Sequence, residues 1–257
     1  MTVMMNEDPS DPSVHEPRER AVLFSAAMVR ALLAGAKTQT RRQMSVQPHD
    51  GAEVVCDDFY PTVIAKNGDE EPGPEVFGAW WSDGEEAIRC PYGKPGERLW
   101  VREAWRADID FDDRPPRDIV EVAHVWYEAD GGLSGIRGLS RQGKLRPSMF
   151  MPRWACRLVL TLTSVRVERL TGISEADALA EGITHSTLTD PRVEYRWAWE
   201  QINGPGSWSA NPWVWVLDFH CGPNLQPNDK DERAARWRSA SPAAARTPCP
   251  GGSARRG

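Results

Sequence analysis

The chain has 257 residues, with 31 lysines and arginines against 37 aspartates and glutamates and a formal net charge of −6. That length suits one large domain or two small ones with a full hydrophobic core, and the acidic balance excludes a protein coated in positive charge for unspecific DNA binding. The five cysteines are odd in number and contain no C-x-x-C pair, so they indicate neither a disulfide framework nor a zinc ribbon and fit reduced thiols in a cytoplasm.

Residues 1–20 are acidic and proline-bearing without an apolar core, and read as a disordered leader rather than a signal peptide. The first apolar run, 21–29, is interrupted by Ser25 and falls far short of the ~20 residues of a membrane span, so no membrane association is expected. Residues 21–24 are predicted as a short buried strand. Over 26–34, Met28, Val29, Leu32 and Leu33 form one stripe at helical spacing, with Ser25 as N-cap and Gly35 as the left-handed stop. The polar, β-forming run Lys37-Thr38-Gln39-Thr40-Arg41-Arg42 follows.

Residues 45–90 are rich in Gly, Pro and acids and read as an insertion or a long loop, with one strand near Val54. A turn at 94–97 leads into a strand at 98–101, 108–118 is a charged loop, and 119–127 reads as a strand ending in the Asp130-Gly131-Gly132 turn. Alternating Leu158, Leu160 and Leu162 make 154–167 the clearest strand. Ser174 and Asp177 form a weak capping box on a helix ending near Glu181-Gly182. A second helix at 193–202 stops at Asn203-Gly204-Pro205-Gly206, and 212–220 is a closing strand. Residues 222–257 turn to Pro, Ala, Ser and Arg without periodicity and read as a disordered tail. The order predicts an α+β fold, a small β-barrel with flanking helices over 21–221 and insertions at about 45–90 and 106–150, rather than a Rossmann sheet.

Charge is unevenly spread. Residues 20–49 hold five basic side chains and no acid, 137–169 hold eight against Glu168 alone, and 53–86 hold ten acids and only Lys66. This is either an ordinary mixed surface or a basic face built from two distant segments to meet an anion. No P-loop or G-x-G-x-x-G is present, and the histidines never fall at ligand spacing, so neither a metal nor another cofactor is expected.

What remains is an ordered set of segments: Gly35-Ala36-Lys37-Thr38-Gln39-Thr40-Arg41, Pro95-Gly96-Glu97-Arg98-Leu99, the strand through 156–163, Ser174-Glu175 through Glu181, and Trp215-Val216-Leu217-Asp218-Phe219. This set resembles the ASCH superfamily of PUA-like β-barrels, in particular the enlarged members encoded by bacteriophages and prophages. The resemblance spans about 21–221, and its most specific part is the 35–41 segment. It implies a cleft in the barrel for RNA or a modified nucleoside. It also implies a catalytic set of Lys37, Thr40 and Glu181, as in the small bacterial hydrolases of N4-acetylcytidine.

That chemistry needs a nucleophile, a base and a proton donor for the leaving amine: Thr40, Lys37 with a lowered pKa, and Glu181 holding the lysine or moving the proton. Side chains alternate along a strand, so Lys37 and Thr40 meet only if Lys37 sits in the turn after Gly35. Arg41 and Arg42 are candidate phosphate contacts and Trp208 a candidate stacking residue. Arg102 and Glu103 are either rim contacts or a strand-end ion pair beside Trp105. Other readings of the same residues are a non-catalytic reader of a modified base, an RNA nuclease, and a phage accessory or morphogenesis protein acting through protein contacts.

Overall fold

The computed structural model describes residues 19–66, 68–81, 86–121, 124–131, 141–183 and 189–224. Most of the expected leader and tail therefore lies outside the described residues. At their inner ends, Glu19 and Arg20 already belong to the first strand and the last strand continues to Pro223. In chain order the elements are β1 (Glu19–Leu23), α1 (Ala26–Leu33), β2 (Gln39–Gln43), β3 (Val54–Phe59), β4 (Thr62–Ile64), β5 (Glu70–Pro72), β6 (Val76–Trp81) and β7 (Ala87–Arg89). They continue with β8 (Arg98–Arg102), β9 (Trp105–Arg106), β10 (Trp126–Tyr127), β11 (Leu158–Arg169), α2 (Glu175–Ala180), α3 (Pro191–Asn203) and β12 (Trp213–Pro223). The fold is mixed α+β and dominated by sheet. Among the described residues no helix is long and apolar enough to cross a membrane.

Local chemistry sets the helix ends. The Ser25 hydroxyl accepts from Met28 N–H at the start of α1, and Gly35 (φ +70°) lets the chain turn back after it. Ser174 and Asp177 close a complete capping box on α2. Asp190 caps α3, whose first residue is Pro191.

The central sheet has the order β1-β8-β11-β12-β2, with β1 parallel to β8 and the other pairs antiparallel. A register shift between Leu162 and Ser164 bends the long β11–β12 ribbon. No ladder joins the two edge strands among the described residues. Instead Arg42 of β2 donates from Nη2 to the Leu23 carbonyl of β1 at 2.7 Å, with its guanidinium over Phe24. The sheet is thus strongly curled with its seam spanned by a side chain.

One face of the sheet buries Leu99, Val101, Leu160, Leu162, Leu217 and Phe219 against α1, forming the main core. On the other face, Val214 and Val216 pack against Tyr195 and Trp199 of α3 and Ala178 of α2. A third cluster around Trp105, Ile119 and Met151 closes the end near β9 and β10.

Three expectations change. Residues 45–90 are no long loop: β3, β6 and β7 form an antiparallel sheet whose Ala79 and Trp81 enter the main core, and β4–β5 forms a further hairpin. Apolar residues at 54–56, 76–81 and 88 are too irregularly spaced to show period-two alternation, because both faces of this small sheet are partly covered. The expected strand at 119–127 reduces to Trp126–Tyr127, since Pro115 and Pro116 impose a turn from which Ile119 drops into the third cluster. Likewise Pro152 starts a turn at Arg153–Ala155, so the long strand begins at Leu158.

Because Trp81 is 1% exposed and shares its core with Leu99, the insertion is part of the folding unit. Trp81→Ala should destabilise by about 3–5 kcal/mol, and denaturant unfolding followed by far-UV circular dichroism should remain one transition. A separate early transition for the variant would contradict a shared core.

Candidate functional site

The turn released by Gly35 places Lys37 outside the regular ladder. Its N–H donates to Ala31 O, and it forms an isolated bridge with Glu181 at the C-terminal end of α2. This meets the geometric condition that the alternation of side chains imposes. Thr38 N–H donates to Ala180 O while Phe219 N–H donates to Thr38 O, which fastens the start of β2 to both α2 and β12. Gly182 completes the join. At φ +89°, its missing side chain leaves room for Ala31 and Lys37, since a Cβ there would stand 2.8 Å from Ala31 Cβ and 3.0 Å from Lys37 Cβ.

Lys37 and Glu181 form a buried ion pair. Lys37 Nζ donates to Glu181 Oε2 at 2.6 Å and to the Glu181 carbonyl at 2.8 Å, and side-chain exposure is 0% and 4%. Burial pushes the Lys37 pKa down; Glu181 opposes that shift, and Arg42 and Arg41 add to it. The second carboxylate oxygen, Oε1, accepts from the Arg41 main-chain N–H and from the Tyr195 hydroxyl at 3.4 Å. Burial, then the charge of Glu181, raises the Tyr195 pKa well above its usual value, so its phenol stays protonated.

A cavity of about 230 Å³ opens beside this pair. Thr40, Glu181 and Tyr195 line its polar side; Met28 and Ala31 of α1 and Ile202 of α3 are on its apolar side. It lies along the free edge of β2. Ladder bonds alternate along a strand, and Met44 N–H pairs with Trp213 O, so Gln39, Arg41 and Gln43 turn their main-chain groups away from β12. The Arg41 N–H already reaches Glu181 in this way, and the Arg41 carbonyl and Gln43 N–H share its direction. Thr40 and Glu181 therefore meet at the cavity. Lys37 is held behind Glu181 and is not part of the cavity wall.

No family model, curated protein or solved structure matches the chain.

The remaining residues singled out in the sequence are placed as follows. The Arg41 side chain is fully buried on the face opposite Thr40, with Nη2 3.1 Å from Glu168 and 3.2 Å from Asp177. Arg166 joins the same group through Glu168, Asp177 and Asp218. Lys37, Arg41 and Arg166 thus stand against Glu168, Asp177, Glu181 and Asp218, while Arg42, which also borders the cavity, bonds the Leu23 carbonyl and pairs with no carboxylate among the described residues. Glu103 is 1% exposed and paired in two bonds with Arg157, away from the cavity. Arg102 stacks over Trp100. Trp208 packs edge-on against Tyr195, ring centroids 6.2 Å apart, and is not at the cavity wall.

The sequence carries no sign of Tyr195 at the cavity, nor of Gln39 and Asp177 as partners of each other and of Arg41. Tyr195, Trp199 and Ile202 lie on one helical face, a legible stripe, but nothing in the spacing says that Glu181 stands opposite it.

Asp177 supplies a direct check on the network. Burial alone would raise its pKa, but hydrogen bonds from Gln39 and Ser174 and the Arg41 charge outweigh that and hold it at about 2, from 3.8. A lowered carboxylate pKa stabilises the fold above the unfolded value, and that contribution is lost as pH falls through the folded one. Thermal melts should therefore show the wild type losing stability from about pH 4 towards pH 2. Asp177→Asn should be less stable at pH 7 and lose less over that interval. An identical acid limb in both would contradict the assignment.

Proposed function

We propose that the cavity binds a small uncharged base or nucleoside and hydrolyses an N-acyl group on it, in the manner of an ASCH-type amidohydrolase acting on a compound such as N4-acetylcytidine. The observation that carries this reading is the buried Lys37–Glu181 pair set directly against a cavity that Thr40 also lines. The curled sheet, its seam bridged by Arg42, supports a PUA-like barrel. The free edge of β2 offers a main-chain acceptor and donor side by side, the pattern that a planar amide-bearing base can meet. The Arg41 guanidinium is engaged by Glu168 and Asp177 and that of Arg42 by the Leu23 carbonyl and the Phe24 ring, which favours an uncharged ligand over a phosphodiester at this position.

In this mechanism the Thr40 hydroxyl attacks the acyl carbonyl carbon while the Lys37–Glu181 pair takes its proton. The lowered Lys37 pKa makes neutral lysine accessible. The proton returns to the leaving amine, and water then releases the acyl group from Thr40. Tight coupling of Lys37 Nζ to Glu181, behind the cavity wall, favours one second reading. In it the pair only orders Glu181, and the cavity binds a modified base without turning it over.

Incubation with N4-acetylcytidine and a panel of other N-acylated nucleosides, resolved chromatographically, separates the two. Wild type should release the free nucleoside. Thr40→Ser should retain part of that activity, and Thr40→Val and Lys37→Arg should lose it, because arginine stays protonated. Full turnover by Lys37→Arg would remove the base role. Saturable binding without product would select the non-catalytic reading.

A further inference from the structure

The second face of the central sheet is covered by α2 and α3 only over β2 and the adjoining half of β12. The other half carries no helix, although Val159 within it is buried. Register gives its rows directly: Glu19, Arg98, Thr161 and His220 lie in one, and Ala21, Trp100, Val159 and Gly222 in the next, with Leu23 beside Arg102 beyond them. Ala21, Leu23, Thr161 and His220 are exposed, and space is empty above Gly222. Trp100 stands near the middle of this surface, half-buried, with the Arg102 guanidinium 4.6 Å and the Arg153 guanidinium 5.7 Å from its ring.

Arg98 and Arg153 share one carboxylate, Glu19, at 3.2 Å and 2.7 Å. Arg102 has no carboxylate partner among the described residues, and its Nε is buried without a hydrogen bond. Three guanidinium groups therefore face one acid. Glu103 does not offset them, because it alternates to the opposite side of β8 and is matched to Arg157. The chain also leaves from this corner. Asn224 accepts from Arg153 Nη2 at 3.0 Å, and residues 225–257, which follow, contain six arginines and one lysine against three acids.

The geometry points to this open sheet face as a docking surface for a single-stranded nucleic acid, separate from the cavity. Phosphates meet Arg98, Arg102 and Arg153, and bases pack beside the half-buried Trp100, over the exposed Ala21 and the open space at Gly222. Such a surface needs π-faces and guanidinium groups on a regular platform rather than base-edge readout, so it tolerates many sequences. A duplex fits it less well, since its bases are stacked away from the sheet.

Fluorescence anisotropy of short labelled oligo(U) and oligo(dT), titrated with the full-length protein at several salt concentrations, tests this. Wild type should bind with an affinity that falls steeply with salt. The Arg102→Ala/Arg153→Ala double variant should bind roughly tenfold or more weakly, with a salt slope shallower by about 1.4 for two lost phosphate contacts. Its melting curve is recorded alongside, and Arg98→Gln serves as an independent variant if the double substitution unfolds. Thr40→Val should bind like wild type. Oligo(U) binding well above oligo(dT) would assign the strand as RNA, and equal binding would assign either sugar; both support the surface. No binding by wild type, unchanged binding by folded Arg102→Ala/Arg153→Ala or Arg98→Gln, loss of binding in Thr40→Val, or equal binding of poly-glutamate would overturn it.

Discussion

A lysine ammonium and a glutamate carboxylate, both withdrawn from water, meet where α1, β2 and α2 join. Removing two charges from water is costly, and their attraction offsets that only when the remaining lone pairs and protons are also satisfied. Here they are. Lys37 reaches both the carboxylate and the carbonyl of Glu181, and the other carboxylate oxygen accepts from Arg41 N–H and Tyr195. One side chain thereby fixes the end of α2, the free edge of β2 and the facing side of α3. Gly182 makes the approach sterically feasible. The cavity is the space left when those elements are held at that separation.

Such a pair is a weak source of stability compared with an apolar replacement, so its value lies in specificity and chemistry. A carboxylate held by a buried lysine beside a threonine and a protonated phenol is a set of proton donors and acceptors with fixed orientations. The surrounding arginines complete the balance rather than present charge to solvent: Arg41 answers Glu168 and Asp177, Arg166 answers three acids, and Arg42 spans the sheet seam. Cations in excess of acids are instead found around Trp100, on the open part of the sheet. The molecule thus separates a cavity whose bordering arginines are engaged within the fold from a more positive surface, although both belong to one sheet.

Much of this was legible from local chemistry. Ser25 and Gly35 around α1, Ser174 with Asp177 on α2, and alternation through Leu158, Leu160 and Leu162 are all signals that act within a few residues. The resemblance carried by the 35–41 segment, rather than any spacing, implied Lys37 and Glu181 as site residues, and they do meet. The 54–90 strands were not legible, because a small sheet covered partly on both faces has no clean period. Nor was the fate of the arginines. Basic runs at 20–49 and 137–169 look like a face, but Arg41, Arg146, Arg157 and Arg166 find carboxylates or carbonyls from segments far away in the chain. Tyr195 likewise gains its meaning only from the 14-residue separation that brings its hydroxyl back to Glu181.

A double-mutant cycle on Lys37→Met and Glu181→Leu tests the central claim most directly, with stability read from denaturant unfolding. Each single substitution leaves a buried charge without its partner and should cost about 3–5 kcal/mol, whereas the double replacement should cost less than either single one. Additive costs, or single substitutions that each lower stability by under about 1 kcal/mol, would show that the two charges are not a buried, mutually dependent pair.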